Sequence, residues 1–299
     1  MDLTKIDYTD FMGFLLRSSL STWSLFVSLS FVATACGDDE GDEGADLNGD
    51  SAVACSSGDT YLESDGVVII EPETCLDAFR TGDSFSVVTE SVEVDQGQDQ
   101  GRMVTETLLL TGSNHLGNLD GELITFPIRV TNPGVYRLHV RSVFGGSSNT
   151  DENDGWFRFR NTESTHYFCV EGGELSRSSD FRELLDSGGE RNGQTLHYPE
   201  GNALDRPDFG RENPGRGGFF KIFRAGRNQT NRWSASTIDN NGYPVYLFAP
   251  EAGVYELELR ERSAGWRLDR IALLHIDLAG AGLPFDTLDG AESELGRVD

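Results

Sequence analysis

The stretch NPGVYRLHVRSV, residues 132–143, contains two signals from which the fold class follows. It opens on Asn-Pro-Gly, which is typical of a turn because proline fixes one backbone angle and glycine accepts conformations that other residues avoid. After the turn, the apolar residues Tyr136, Leu138 and Val140 alternate with basic ones. A period of two with one apolar side predicts a β-strand that is covered on one face.

The same arrangement returns near the end of the chain. Residues 250–253, Pro-Glu-Ala-Gly, form a second turn that leads into VYELELR, residues 254–260. Here Tyr255, Leu257 and Leu259 alternate with charged residues. Two copies of a turn followed by Val-Tyr and an alternating strand predict two antiparallel strands in equivalent places of a β-sandwich.

Further short runs of β-branched and aromatic residues lie between turn signals. These predicted strands cover residues 66–71, 105–111, 123–131, 156–160, 219–223, 243–248 and 266–275. Many short strands separated by turns are typical of a sandwich or barrel. Residues 172–218 break this rhythm with glycine and charged residues, which predicts a long loop with one helical turn at FRELL, residues 181–185.

A secretion signal is predicted over residues 1–35. Residues 14–35 are an apolar stretch that ends in Ala-Thr-Ala directly before Cys36, and small residues before the cut are typical of a signal peptide. A cysteine in the first mature position resembles the lipobox of bacterial lipoproteins, in which the thiol receives a diacylglycerol. The alternative is an uncleaved transmembrane anchor, because the stretch is long enough to span a membrane. The start codon stays open between Met1, which opens an acidic leader, and Met12, which opens a basic one.

Residues 36–51 follow as an acidic, glycine-rich run without an aromatic residue. Such a segment buries too little apolar surface to fold, so we predict a disordered tether between the lipid and a single domain at residues 52–299. Enteric lipoproteins are retained in the inner membrane by an Asp at the position that Gly37 takes here. We therefore predict a lipid-anchored protein of the cell envelope, at the outer membrane or the cell surface.

Charge and cysteine content narrow the partners further. A formal net charge of −26 argues against nucleic acid and anionic lipid surfaces as partners. Of the four cysteines, Cys36 is the lipid site, which leaves Cys55, Cys75 and Cys169. An odd number in an oxidising compartment leaves one thiol over, and the pairing stays open, although Cys55 and Cys75 flank the first strand. The spacings contain no zinc motif.

Three short motifs carry a resemblance to a known family: NDGWFRF (153–159), GFFK (218–221) and R-S-x-G-x-x-x-D-R-I (262–271). In this order and spacing, residues 62–276 resemble the β-sandwich module appended to bacterial agarases, sulfatases and other secreted polysaccharide-handling proteins. The chain is similar, more distantly, to family-6-type carbohydrate-binding modules with their galactose-binding-like jelly roll. The resemblance implies an all-β, jelly-roll-like antiparallel β-sandwich that binds carbohydrate. The loop at 172–218 is longer than expected for the module, and we expect no attached catalytic domain.

A sugar site needs aromatic faces for the C–H side of a ring and polar side chains for its hydroxyls. Aromatic residues with amides or carboxylates near them are the candidates, namely Trp156, Tyr167, Trp233, Tyr243, Asp154, Asn240 and Asn241. The alternative for Trp156 and Trp233 is a place in the sandwich core. Tyr243, beside Asn240-Asn241-Gly242, is the ring that we most expect to be exposed.

The resemblance also implies a structural calcium ion, because acidic residues of the first strand help to hold one in family-6-type modules. Glu71 and Glu73 occupy that strand here, and Asp269 is the candidate distal ligand. Calcium requires oxygen ligands that converge from several segments. The alternative for Asp269 is a buried ion pair with Arg262 or Arg270.

Motifs of catalysis are weak in this chain. It contains no GxSxG, HExxH or Walker loop. Gly82-Asp83-Ser84 is similar to the nucleophile motif of some esterases, but Ala272 stands three residues before His275, where the partner motif requires Asp. We therefore predict that the protein is not an enzyme.

The sequence thus predicts a surface-anchored lipoprotein that binds a polysaccharide or glycan, held at the membrane by the lipid on Cys36. The alternative is a structural or protein-interaction envelope lipoprotein that uses the same fold with a protein partner. The two differ in whether Trp156, Trp233 and Tyr243 are exposed together at one loop end. Buried or scattered rings favour the alternative.

Overall fold

The computed structural model describes residues 55–94, 101–144, 153–160, 166–199, 215–223, 230–237, 242–278, 293 and 295–297. The chain divides into the units Met1–Asp50 and Ser51–Asp299, and only the second contains described residues. The predicted signal peptide, Cys36 and the tether lie outside the described residues. In the described part, no helix is both long and apolar enough to cross a membrane.

The described secondary structure is mostly β. The strands are β1 (Asp59–Leu62), β2 (Val67–Ile70), β3 (Phe85–Val94), β4 (Gly101–Leu110), β5 (Leu123–Val130), β6 (Gly134–Val143), β7 (Asp154–Phe159), β8 (His166–Glu171), β9 (Glu190–Arg191), β10 (Gln194–His197), β11 (Gly215–Arg216), β12 (Phe219–Phe223), β13 (Thr230–Trp233), β14 (Val245–Ala249), β15 (Gly253–Arg260), β16 (Arg267–His275) and β17 (Leu295–Arg297). The helices are α1 (Leu76–Phe79) and α2 (Ser178–Asp186).

These strands form two sheets that pack face to face. The seven-stranded sheet has the order β11-β12-β7-β15-β5-β1-β17, and the ten-stranded sheet has the order β2-β16-β4-β3-β13-β6-β14-β8-β10-β9. Most pairs are antiparallel, with parallel contacts between β1 and β5 and between β13 and β3. Alternate residues of each sheet, such as Ile124, Phe126 and Ile128 of β5, are buried between the sheets. The predicted all-β, jelly-roll-like sandwich is confirmed.

The two turn motifs build the same local structure in opposite sheets. The Tyr136 hydroxyl donates a hydrogen bond of 2.5 Å to the carbonyl of Asn132, and the Tyr255 hydroxyl donates one of 2.7 Å to the carbonyl of Glu251. Each tyrosine therefore fastens its strand to the turn four residues earlier. Gly134 is required in the first turn, because a Cβ there would lie 2.1 Å from His275 Nε2.

Glu63, just after β1, is hydrogen-bonded to the first of these turns, residues 132–134. Its carboxylate accepts hydrogen bonds from the backbone N–H groups of Gly66, Thr131 and Asn132 and from the side chains of Thr131 and Asn132. Burial by itself would raise the pKa of Glu63, but the hydrogen bonds from Thr131 and Asn132 lower it to about 2. The ionised carboxylate therefore joins the start of the domain to the entry of β6.

Strand β6 differs from its prediction, because all of its residues are buried. Its inward side chains lie in the sandwich core, as expected, whereas Arg137, His139 and Arg141 are buried on the outer face of the sheet. Burial lowers the pKa of His139 to about 3, with the charge of Arg137 as a second cause. The alternation in sequence correctly predicted which residues of β6 face the core. It did not predict that the residues on the outer face are buried as well.

The outer face of β6 is covered around Arg141 because part of the ten-stranded sheet closes on itself, whereas Arg137 contacts Tyr246 and Glu174. Strand β16 pairs with β6 along its length and with β4 at Arg267 and Leu268. Strand β4 pairs with β3, β3 with β13 and β13 with β6, which completes a ring. The register of β16 shifts between Leu268 and Arg270, so Asp269 lies at an irregularity in the strand, where β4 leaves β16.

The interior of this strand ring is polar. Arg141 Nε donates to Asp269 Oδ2, and the two side chains are each 1% exposed. Asp269 also accepts hydrogen bonds from Asn231 Nδ2 and, at 3.1 Å, from Thr105 Oγ1. The Arg141 guanidinium lies 5.7 Å from the centre of the Trp233 ring. Asp269 is thus a buried acid, as the alternative stated, but its arginine partner is Arg141.

Residues 172–199 differ from the long loop that we expected. They contain α2, β9 and β10, and α2 buries Phe181 and Leu184 against the outer face of the sheet. The Phe181 ring stacks on Phe168 of β8 at 4.4 Å. The two apolar residues lie three apart on one helical face, which is enough to cover a sheet despite the polar composition. Residues 200–214 lie outside the described residues.

Cys55 and Cys75 form a disulfide with their Cα atoms 5.5 Å apart, which settles the pairing that the sequence left open. The covalent loop between them contains β1 and β2. Among the described residues, Cys169 is the free cysteine, and it is buried. A disulfide is what an oxidising compartment permits.

We expect Asp269→Asn to lower the free energy of unfolding by about 3–5 kcal/mol, because it removes the carboxylate that pairs with the buried Arg141 charge. The matched control is Glu183→Gln, since Glu183 pairs with Arg191 where both side chains are about half exposed and such pairs contribute about 1 kcal/mol or less. Urea unfolding of both variants measures the difference. Equal, small losses would contradict the central role of the buried pair.

We expect Glu63→Gln to lower the free energy of unfolding by about 2–3 kcal/mol at neutral pH, because hydrogen bonds to a charged acceptor are lost. The folded pKa lies below the ordinary value of 4.5, so this stabilisation is complete above 4.5 and is lost as pH falls towards 2. Urea midpoints of wild type and variant should therefore converge on acidification. A difference that is constant with pH would refute the assignment.

Candidate functional site

One end of the sandwich is defined by the short connection 261–266, which joins the end of β15 in one sheet to the start of β16 in the other. Antiparallel pairing brings the starts of β5 and β7 to this end, beside the end of β15. In the other sheet, β6 ends beside the start of β16, and the start of β14 lies next to the end of β8. Most of the predicted sugar-binding residues lie at or near this end.

Three side chains from neighbouring strands lock together here, and we call them the Tyr243 cluster: Tyr243, His197 and Glu171. Glu171 ends β8, His197 ends β10, and Tyr243 lies two residues before β14. His197 Nε2 lies 2.9 Å from Glu171 Oε2, and the Tyr243 hydroxyl donates a hydrogen bond to the Glu171 carboxylate. The imidazole and phenol rings are nearly parallel, with centres 5.6 Å apart.

The chain around Tyr243 holds the ring in place. Thr237 and Tyr243 exchange two backbone hydrogen bonds of 3.1 Å, which close the connection between β13 and β14. One residue earlier, Ser236 accepts a backbone hydrogen bond from Phe223 and so ties this connection to the other sheet. Tyr243 packs against the main core and is half-buried as a residue, so its ring has a fixed orientation.

The electrostatics of the cluster centre on Glu171. The hydrogen bond from Tyr243, together with the hydrogen bond and charge of His197, holds the pKa of Glu171 below its ordinary value. The Glu171 side chain is 46% exposed, whereas the His197 side chain is almost buried. A fixed aromatic ring beside an accessible acceptor is the combination that a sugar requires, since the ring contacts C–H groups and the carboxylate accepts hydroxyl hydrogens.

Trp156 and Asp154 form a second group at the same end, but they are engaged in internal contacts. Trp156 is 6% exposed, and its indole N–H donates to the carbonyl of His115 at 3.2 Å. The Arg262 guanidinium lies 5.0 Å from the indole ring and pairs with Asp154, which also accepts from Ser263 Oγ. Burial raises the pKa of Asp154 despite these partners. The NDGWFRF and R-S-x-G motifs therefore stabilise the fold where they meet.

The other candidate residues are not brought to the Tyr243 cluster. Tyr167 lies in the core with its ring against Phe159 and Phe220. Trp233, 3% exposed, packs on the outer face of the ten-stranded sheet in an apolar group with Ile69, Ala272 and Leu274. Asn240 and Asn241 lie outside the described residues. Of the four predicted rings, Tyr243 alone is more than slightly exposed.

The predicted calcium ligands are held by other partners. Glu71 Oε1 lies 2.5 Å from Arg270 Nη2, and Asp269 is engaged by Arg141. Glu73 keeps one buried carboxylate oxygen without a hydrogen-bond partner, and burial raises its pKa to about 9, helped by the charges of Asp269 and Glu71. Among the described residues, no three His, Cys, Asp or Glu side chains are placed to hold a metal ion. Calcium binding therefore stays a prediction.

The esterase-like residues lie too far apart to act together. Ser84 precedes β3 and hydrogen-bonds with Glu261 near the start of β16, whereas His275 ends β16 and contacts the carbonyl of Pro133 at 3.2 Å. The length of β16 therefore separates them, about 25 Å at 3.3 Å per residue. No nucleophile and base pair is formed between these two residues.

The sequence reasoning missed Glu171 and His197. His197 fell in the expected long loop, and β8 was not predicted at all. The signal for β8 was present in HYFCVE, residues 166–171, a run of aromatic and β-branched residues that ends before Gly172-Gly173. A predicted strand there would have placed Glu171 at a strand end.

The two sheets, the turn motifs and the Tyr243 cluster define the class of the protein as an all-β, jelly-roll-like sandwich with an aromatic and acidic cluster at one end. No protein-family model matches the sequence, and no curated protein matches it.

Among solved structures, the chain is similar to proteins that contain carbohydrate-binding modules. These are a β-(1,4)-mannanase of Podospora anserina with a family-35 module (14% identity, TM-score 0.29), the C-terminal family-6 module of a laminarinase from Zobellia galactanivorans (14%, 0.28) and a family-6 module of a Cellvibrio mixtus lichenase in complex with cellotriose (12%, 0.28). The matches cover 71%, 70% and 69% of this chain. The chain spans 28% of the mannanase and 98% and 95% of the two family-6 modules.

Proposed function

We propose that the protein is a surface-anchored, non-catalytic lipoprotein that binds a polysaccharide or glycan through the Tyr243 cluster. The observation that supports this most is the interlocked arrangement of Tyr243, His197 and Glu171 at the surface of one end of the sandwich. The three side chains are fixed by one another before a ligand arrives, so binding costs little side-chain ordering.

Each member has a distinct part in the proposed site. The exposed part of the Tyr243 ring contacts the C–H groups of a sugar ring. Glu171 accepts hydrogen bonds from sugar hydroxyls on the side that Tyr243 and His197 leave open. His197 positions both, because it stacks beside the phenol and bonds to the carboxylate.

The alternative function, a structural or protein-interaction envelope lipoprotein, is favoured by two other observations. Trp156 and Trp233 are buried, so they do not form one exposed aromatic face with Tyr243. In addition, the β3–β4 hairpin exposes Val87 and Val104, the latter to 71%. Exposed apolar side chains on a strand pair are contacts that a protein partner uses more readily than a sugar.

We expect Tyr243→Ala to weaken polysaccharide binding by about tenfold or more, because truncating an aromatic anchor typically costs more than 1–2 kcal/mol. The measurement is affinity electrophoresis of the detergent-solubilised protein through gels that contain neutral or sulfated polysaccharides, with calcium or a chelator. Leu116→Ala is the matched control, since Leu116 is 41% exposed in the 111–122 loop at the same end.

Retardation that Tyr243→Ala abolishes and Leu116→Ala preserves would support the proposed site. Binding that requires calcium would support the calcium prediction as well. Failure of every polysaccharide to retard the wild-type protein would shift the weight to the protein-interaction alternative.

The lipid anchor is a separate part of the proposal. We expect Cys36→Ser to abolish incorporation of labelled fatty acid, because the thiol is the proposed acylation site. Cys169→Ala is the control and should keep the label, since Cys169 is buried within the domain. Absence of the label from the wild-type protein would instead favour the uncleaved transmembrane anchor.

A further inference from the structure

We infer that Glu171 determines the specificity of the Tyr243 cluster by excluding glycans that carry sulfate or carboxylate groups. The inference rests on the proposed function and names the class of ligand at the same site, an uncharged glycan. It is carried by the position of the carboxylate rather than by the overall acidity of the chain.

The position is decisive because Glu171 lies within hydrogen-bond reach of the ring that contacts the sugar. Its carboxylate is hydrogen-bonded to the Tyr243 hydroxyl and to His197 Nε2. The Glu171 side chain is nevertheless 46% exposed. A substituent on the edge of the sugar that faces Glu171 therefore lies a few ångströms from this carboxylate. A hydroxyl there can donate to it, whereas a sulfate or carboxylate has no proton to offer.

Fixed positive charge that could offset the carboxylate is missing from its described surroundings. Within the described residues, the ion-pair partner of Glu171 is His197, and no lysine or arginine pairs with it. Glu174, three residues further on, is a second exposed acid, and it pairs with Arg137. Because the hydrogen bond from Tyr243 lowers the pKa of Glu171, the carboxylate stays charged at neutral pH.

The expected size of the effect follows from Coulomb's law. Two like charges about 4 Å apart at a hydrated surface weaken binding about fivefold, and more where water is displaced. Salt removes most of this, since the screening length falls from about 10 Å at 0.1 M to about 3 Å at 1 M. The measurement belongs at about pH 8, where imidazole groups are ordinarily neutral and add no charge.

The test uses pairs of polymers that share a backbone and differ in charge: hydroxyethyl cellulose against carboxymethyl cellulose, and dextran against dextran sulfate. The Cys36→Ser protein, Glu171→Gln and Glu106→Gln are compared at low and high salt. Glu106 is exposed on β4, so its variant removes the same unit of charge far from the site. Global repulsion predicts equal behaviour of the two glutamine variants.

The expected result is that Glu171→Gln gains binding to the charged member of a pair about fivefold over Glu106→Gln at low salt, and that the gain disappears at high salt. If Glu171→Gln also loses binding to the neutral polymers, Glu171→Asp is used in its place. This variant keeps the charge and should still bind the neutral polymer of each pair better than the charged one. Equal behaviour of the two glutamine variants, with neutral binding that still depends on Tyr243, would overturn the inference and leave the proposed function standing. Tyr243-independent or absent binding would overturn both.

Discussion

The buried pair of Arg141 and Asp269 is the constraint around which the ten-stranded sheet is arranged. An ion pair at 1% exposure is tolerated only when further hydrogen bonds satisfy it, and here Thr105 and Asn231 supply them. The four residues come from β6, β16, β4 and β13, so the pair is complete only when these strands meet. The strand ring and the irregularity at Asp269 both lie at this pair.

The fold could be predicted from the sequence where a pattern repeats along one strand. The alternation at residues 134–143 and 253–260 identified β6 and β15, and the repeated Val-Tyr turn reflects the two tyrosine hydroxyls that fasten those strands. Burial of Asp269 was foreseen as an alternative, but its partner was not. A period of two indicates which residues of a strand share a face. It does not indicate which distant strand pairs with that strand, and Arg141 meets Asp269 only because β6 pairs with β16.

The candidate site was predictable in part for the same reason. Tyr243 follows Gly242 at a turn, which made its exposure readable from local sequence. Glu171 and His197 reach it across three strands that are far apart in the chain, so no local motif contained them. Trp156 was misleading because the local sequence of a tryptophan does not show whether its ring faces a ligand. Here the Arg262 guanidinium and the His115 carbonyl contact the indole instead.

The Cys55–Cys75 disulfide has a mechanical consequence for a protein proposed to be held by a lipid. A pull on the tether reaches the domain at Cys55 and passes through the sulfur atoms to Cys75, without stretching the chain between them. Strands β1 and β2 lie within that covalent loop, so shear at the cell surface does not peel them away from the start of the domain. The load falls instead on the chain after Cys75, where α1 leads into the long β3–β4 hairpin.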